Sequence, residues 1–155
     1  MSTSNITAAR AVADPVEKQL LACVEIEAES ERVFRALTSE EIIAWWVRPG
    51  VFDTREWSCD MRVGGRWRAS GISRGQPYVQ EGEFLEIDPP HKLIQTWDGA
   101  GSPDLPSTVT YLVERFEKGT RLNIRQTGFV SSDVCNAFAI GWETSLKRLA
   151  EILVP

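Results

Sequence analysis

Glu81 and Glu83 stand two residues apart in a stretch that alternates like a strand, so their carboxylates share one face. Paired carboxylates can divide general acid and general base work when one pKa is raised. Arg66 and Arg68, on an expected neighbouring strand, offer another role: four charges facing each other as a solvated ladder. Arg121 and Arg125 also share a face and read the same way. His91 is the single histidine and follows Pro89-Pro90, which places it in a surface turn. A Ser-His-Asp or Cys-His arrangement would have to use that ring, and no serine sits in a nucleophile elbow. Cys23, Cys59 and Cys135 are widely separated, so neither a disulfide framework nor a metal cluster is expected. Cys135 opens the final helix, where the dipole could lower its pKa, but a small buried residue is the better expectation. Gly99-Ala100-Gly101 lies between two strands and lacks the strand-to-helix geometry that cradles phosphate. It is read as part of a flexible loop beside a pocket. Neither a catalytic residue nor a cofactor is assigned.

Aromatic residues carry the stronger signal. The chain has 6 Trp, 6 Phe and 2 Tyr, and a buried indole or phenol needs a polar partner. Trp45 and Trp46 are adjacent on a short helix and so point about 100° apart. Both cannot face the core centre, which puts Trp46 at a pocket mouth. Trp67 and Trp97 occupy strands whose alternation can turn a ring inward, and Tyr111 can add a hydroxyl. Phe138 and Trp142 are four apart on one helix face. Trp46, Trp67, Trp97, Tyr111, Phe138 and Trp142 form the candidate ligand-binding set, suited to a flat or aliphatic molecule.

The elements that must position these residues follow from periodicity and turns. At 155 residues one domain is expected, large enough to bury about 70% of its unfolded surface. Residues 1–15 lack a persistent period and are expected to be a mobile tail, with the domain spanning 16–155. A first strand is expected over Lys18–Ala28, then a helix at Glu31–Leu37 capped by Ser30 and another after Ser39 that ends before Pro49-Gly50. Strands are expected at Arg55–Cys59, Arg66–Gly71, Tyr78–Ile87, Leu93–Trp97, Thr108–Phe116 and Arg121–Thr127, with a loop from Asp98 to Pro106. The last 25 residues carry the long helical pattern, with Ala137, Phe138, Gly141, Trp142, Ser145, Leu149, Ile152 and Leu153 on one face. The expected fold is α+β: a curved antiparallel sheet of about six to seven strands around a long C-terminal helix.

Net charge is −5 with scattered basic residues, which argues against a nucleic-acid partner. No window approaches the length of an apolar membrane span. Free thiols and no apolar leader suggest the cytoplasm. A homodimer through a strand edge or an exposed tryptophan is a further expectation.

Four segments resemble the START-like helix-grip (SRPBCC) proteins. They are Val33-Phe34-Arg35-Ala36-Leu37-Thr38 leading to Trp45-Trp46, and Asp60-Met61-Arg62-Val63-Gly64-Gly65-Arg66-Trp67-Arg68. The others are Gly82-Glu83-Phe84-Leu85-Glu86-Ile87-Asp88-Pro89-Pro90 with Leu93 and Thr96-Trp97, and Gly141-Trp142 with Leu146, Leu149 and Leu153. They are most similar to the branch named for activators of the heat-shock chaperone ATPase. The resemblance covers about Gln19 to Leu153 and implies a helix-grip fold with an interior cavity. It does not bring chaperone activation with it, since fold does not settle function.

Three functions are therefore weighed. The favoured one is non-catalytic binding of a small hydrophobic or aromatic molecule between sheet and final helix. The second is a cyclase- or aromatase-like enzyme using Tyr111, Arg115 or Glu83. The third is a chaperone-linked interaction domain, implied by the resemblance alone.

Overall fold

The computed structural model describes residues 8–102 and 104–153. Strands β1 (Arg10–Asp14) and β2 (Gln19–Ile26) precede helices α1 (Ser30–Leu37) and α2 (Ile42–Trp45). Strands β3 (Val47–Arg48), β4 (Phe52–Cys59), β5 (Arg66–Ser73), β6 (Gln76–Asp88), β7 (Lys92–Ser102), β8 (Leu105–Phe116) and β9 (Gly119–Thr127) follow, and α3 (Ser132–Leu153) closes the chain. All strand pairs are antiparallel, in the order β1-β2-β9-β8-β7-β6-β5-β4-β3. The α+β sheet-and-helix architecture is as expected, but the described residues hold nine strands rather than six or seven.

Two of the differences have local causes. Strand β1 lies in the stretch expected to be a mobile tail, and residues 1–7 of that stretch fall outside the described residues. Its inward side is only Ala11 and Ala13, preceded by Ala9, too weak an alternation to stand out, yet all three pack on the core. The Ala11 N–H also donates to Glu143 Oε1 on α3 at 3.1 Å. The expected loop from Asp98 to Pro106 is instead the tip of the β7–β8 hairpin. A register shift between Trp97 and Ser102 absorbs the irregular backbone. Ala100 is buried there, and its carbonyl accepts the Val130 N–H at 3.0 Å. A Cβ on Gly101 would lie 2.3 Å from the Leu105 carbonyl oxygen, so glycine permits this close pairing.

Buried residues line up in rows across the inner face of the sheet. Phe84, Gln95, Val109, Gln126 and Leu20 oppose one another in successive strands, and each is buried. Leu93, Tyr111, Ile124 and Ala22 form the next row. Helix α3 fills the hollow these rows make, touching β1 and β2 at one end of the sheet and β3 at the other. Its core contacts are Cys135, Ala139, Trp142, Leu146, Leu149 and Leu153, at three- and four-residue spacing. Ile152, expected on that face, is 41% exposed, because the stripe follows Leu146–Leu149–Leu153 and leaves position 152 on its flank.

The short helices depart from their expected details. Glu29 occupies the N-cap of α1 without a side-chain cap, and Ser30 instead bonds Thr120 Oγ1 at 3.2 Å. Trp45 and Trp46 are both buried. The helix ends at Trp45, and Trp46 has left helical geometry (φ −83°, ψ 63°), so the 100° separation does not apply. Trp45 Nε1 donates to the Ala36 carbonyl at 2.9 Å.

Candidate functional site

A cleft of about 380 Å³ opens between α3 and the β3–β6 end of the sheet. Its apolar wall is Trp46, Trp97, Phe138 and Trp142, extended by Val51 and Phe52. Trp97 is the centre of this wall. Its ring lies 5.0 Å from Trp46, 5.6 Å from Phe138 and 5.7 Å from Trp142. Trp67 lies behind, 5.3 Å from Trp97, and Trp57 stacks on Trp67 at 5.7 Å. With Trp45 against Trp46, all 6 tryptophans of the chain join one continuous cluster.

Trp142, Tyr111, Trp97 and Trp67 are each oriented by a polar partner. Trp142 Nε1 donates to Gln126 Oε1 at 2.8 Å, and Gln126 Nε2 donates to Ser107 Oγ at 3.0 Å. Gln95 Oε1 accepts from both the Tyr111 hydroxyl, at 2.6 Å, and Trp97 Nε1, at 3.2 Å. Trp67 Nε1 donates to the Thr96 carbonyl at 3.0 Å. That carbonyl comes so close to Gly82, the cross-strand partner of Trp67, that a Cβ there would meet it at 1.8 Å. Buried donors left unpaired would cost about 1–3 kcal/mol each, so these acceptors hold the rings in single orientations. Burial also pushes the Tyr111 hydroxyl pKa far up, leaving it a neutral donor.

Helix α3 offers the cleft a separate strip of residues beside its core stripe: Ala137, Phe138, Ile140, Gly141 and Ser145. Gly141 matters most here. An added Cβ would meet nothing within 4 Å, and mid-helix glycine costs about 1 kcal/mol relative to alanine. Packing therefore does not require glycine at this position. What its missing side chain leaves is open space in the cleft.

The opposite rim is polar. Arg48, Thr54, Ser73, Arg74, Tyr78 and Gln80 face the cleft from β3 to β6. The Tyr78 and Thr54 hydroxyls are hydrogen-bonded to each other. Burial raises the Tyr78 pKa, opposed by that hydrogen bond and assisted by the Asp53 charge. Gln80 Oε1 is buried without a hydrogen-bond partner among the described residues.

Of the six expected contact residues, Trp46, Trp97, Phe138 and Trp142 line the cleft. Trp67 and Tyr111 do not; both are about 1% exposed and stand behind the wall as supports. No local period marks the polar rim; the one sequence feature near it is the Arg74-Gly75 pair that closes the β5–β6 hairpin.

The other candidates are elsewhere. Glu81 and Glu83 oppose Arg68 and Arg66 across β5 and β6, the expected ladder, and Arg66 also pairs with Asp98 at 2.7 Å. Arg115 is 68% exposed and pairs with Glu29. None of Tyr111, Arg115 and Glu83 lines the cleft. Arg121 grips Glu25 with two nitrogens, at 3.0 and 2.7 Å, and Arg125 reaches Gln19. His91 is exposed. Cys135 is buried, donates to the Gln19 carbonyl at 3.3 Å, and has its thiol pKa raised by burial. Among the described residues no cluster of three or more His, Cys, Asp or Glu could hold a metal, and no helix is long and apolar enough to cross a membrane.

Comparison with known proteins places this geometry. The family described as activator of Hsp90 ATPase homolog 1-like protein matches residues 27–154. No curated protein matches the chain. Among solved structures, protein CV1439 from Chromobacterium violaceum is similar at 28% identity, with a TM-score of 0.78 over 89% of this chain and 98% of that one. Protein NE0264 from Nitrosomonas europaea shares the fold at 23% identity, with a TM-score of 0.73 over 87% and 93%. SA2116 from Staphylococcus aureus, a protein of unknown function, does so at 16% identity, with a TM-score of 0.72 over 94% of each chain.

Proposed function

The chain belongs to the activator of Hsp90 ATPase homolog 1-like family, and from that premise we propose that it binds a small hydrophobic or aromatic molecule in the cleft between its sheet and α3. The observation that carries this is the wall of Trp46, Trp97, Phe138 and Trp142 facing open space beside Gly141. The Trp97 and Trp142 indoles, with their N–H groups hydrogen-bonded, present flat apolar surface at low entropic cost. No catalytic step is part of the proposal, and chaperone activation does not follow from the family name, since one fold hosts many functions.

Titration with uncharged aromatic and aliphatic compounds, followed by tryptophan fluorescence, tests the proposal. Binding tighter than about 1 mM is expected for at least one class. Gly141→Leu should abolish it by filling the cleft while the variant stays folded. If wild type binds nothing, or if Gly141→Leu binds as well as wild type, the ligand does not sit here. We further propose a cytoplasmic protein, on the grounds of three free thiols.

A further inference from the structure

We propose that the cleft is built for an amphipathic carboxylate, with its apolar body on the tryptophan wall and its charged end between Arg48 and Arg74. The inference rests on the hydrophobic-ligand proposal and narrows it to one chemical class.

Two hairpin tips bring the arginines to one rim. Arg48 ends β3 and is followed by Pro49-Gly50, where Gly50 has φ 81° and the Val51 N–H returns to the Arg48 carbonyl at 2.9 Å. Arg74-Gly75 joins β5 to β6 with φ 52° and 79°. The Arg74 N–H donates to the Val51 carbonyl at 2.7 Å, tying one tip to the other.

Their charges are uncompensated. Arg32, Arg35, Arg55, Arg62, Arg66, Arg115 and Arg121 each pair with a carboxylate. Arg48 and Arg74, like Arg10, Arg68, Arg125 and Arg148, have no such partner among the described residues; of these six only Arg48 and Arg74 line the cleft, and none of its described lining residues is acidic. Asp53, beside the cleft, is held by Arg55 at 3.1 Å. Two free guanidiniums against an apolar wall, in a chain of net charge −5, suit a planar carboxylate, which they can bind through several parallel hydrogen bonds.

The rest of the rim agrees. The Thr54 and Tyr78 hydroxyls have two protons and use one between them, leaving one to donate. Gln80 Oε1 is buried and unpartnered, an acceptor that the carboxylate itself cannot satisfy and that calls for a donor elsewhere on the ligand. Arg74 also occupies left-handed backbone, which costs an L-residue about 1–2 kcal/mol and favours Gly or Asn. Lys18 in the β1–β2 turn shares this backbone (φ 53°), so what distinguishes Arg74 is that its strained position also lines the cleft.

Matched probes separate this inference from the broader one: decanoate against decanol, and 2-naphthaleneacetate against 2-naphthaleneethanol, measured by calorimetry at pH 7.5. The acids are expected to bind at least about tenfold tighter than the alcohols. Arg48→Gln with Arg74→Gln should erase that ratio and leave alcohol binding within about twofold; Arg74→Asn alone is the milder second variant. High salt should weaken only the acids. Equal binding of acid and alcohol would overturn the carboxylate inference while leaving the hydrophobic-ligand proposal standing. An acid preference that survives the double variant would place the charge elsewhere and overturn it too. Binding of neither pair would overturn both.

Discussion

The Tyr78 and Thr54 side chains meet across Gly71, which opposes Thr54 on one side and Tyr78 on the other. Three strands are thereby joined at the cleft by one hydrogen bond passing over a residue with no side chain. A Cβ on Gly71 would lie 2.0 Å from the Asp53 carbonyl oxygen and 3.0 Å from the Thr54 Cα.

Gly71→Ala should therefore force β4 away from β5 and destabilise the fold by about 1–3 kcal/mol. Urea unfolding measures this. A loss below about 0.5 kcal/mol, the range of neutral surface changes, would mean that the strands adjust freely and the close approach is unimportant.

Thr54→Val and Tyr78→Phe form a double-mutant cycle. Thr54 is 1% exposed, so Tyr78→Phe strands a buried hydroxyl and should cost about 1–3 kcal/mol, whereas Thr54→Val leaves the half-buried Tyr78 hydroxyl on the cleft and should cost less. The double variant should cost less than the sum, by at least about 0.5 kcal/mol. Strict additivity would show that the pair does not interact in solution.

Gly141→Ala should stabilise the protein by about 0.5–1 kcal/mol, since it restores helix propensity at a site where a Cβ meets nothing. A thermal midpoint that falls would contradict the open space beside α3. Affinity for a hydrophobic ligand should drop only modestly with alanine and completely with leucine.

Tyr111 predicts an alkaline limit to stability. Its hydroxyl titrates near the ordinary tyrosine value of 10.0 in the unfolded chain and is pushed well above that by burial in the folded one. The folded state thus holds a proton that the unfolded state loses, so stability is full below pH 10 and falls as pH rises beyond it. Denaturation midpoints of wild type and Tyr111→Phe should differ most at neutral pH, where the lost bond to Gln95 costs about 1–2 kcal/mol. They should converge above pH 10. Parallel curves through that range would show that Tyr111 does not contribute to the alkaline loss.

Arg74→Asn should raise stability by up to about 1 kcal/mol, because asparagine tolerates the left-handed backbone better. A more stable variant that loses preference for carboxylates would show stability given up for a binding residue.

Most element types and their order were legible in the chain. The alternation around Trp67, Phe84 and Tyr111 and the three-four spacing from Cys135 to Leu153 are local periodicities, imposed by backbone geometry wherever one face is buried. The resemblance to helix-grip proteins rests on those same segments. Strand β1 escaped notice because alanines make a faint inward face, and the β7–β8 tip because glycine there serves close pairing rather than flexibility. Trp67 and Tyr111 were legible as inward aromatics but not as supports, since depth depends on what stands in front of them.

By itself, the sequence determined most of the residues that turn inward and that one long helix must cover one large sheet. Only the tertiary structure decided the cleft's chemistry. Arg48, Thr54, Arg74, Tyr78 and Gln80 are separated along the chain and come from β3, β4, the β5–β6 turn and β6. Pairing register and the curl of the sheet bring them to one rim, and both depend on contacts between distant segments. No local period encodes that meeting.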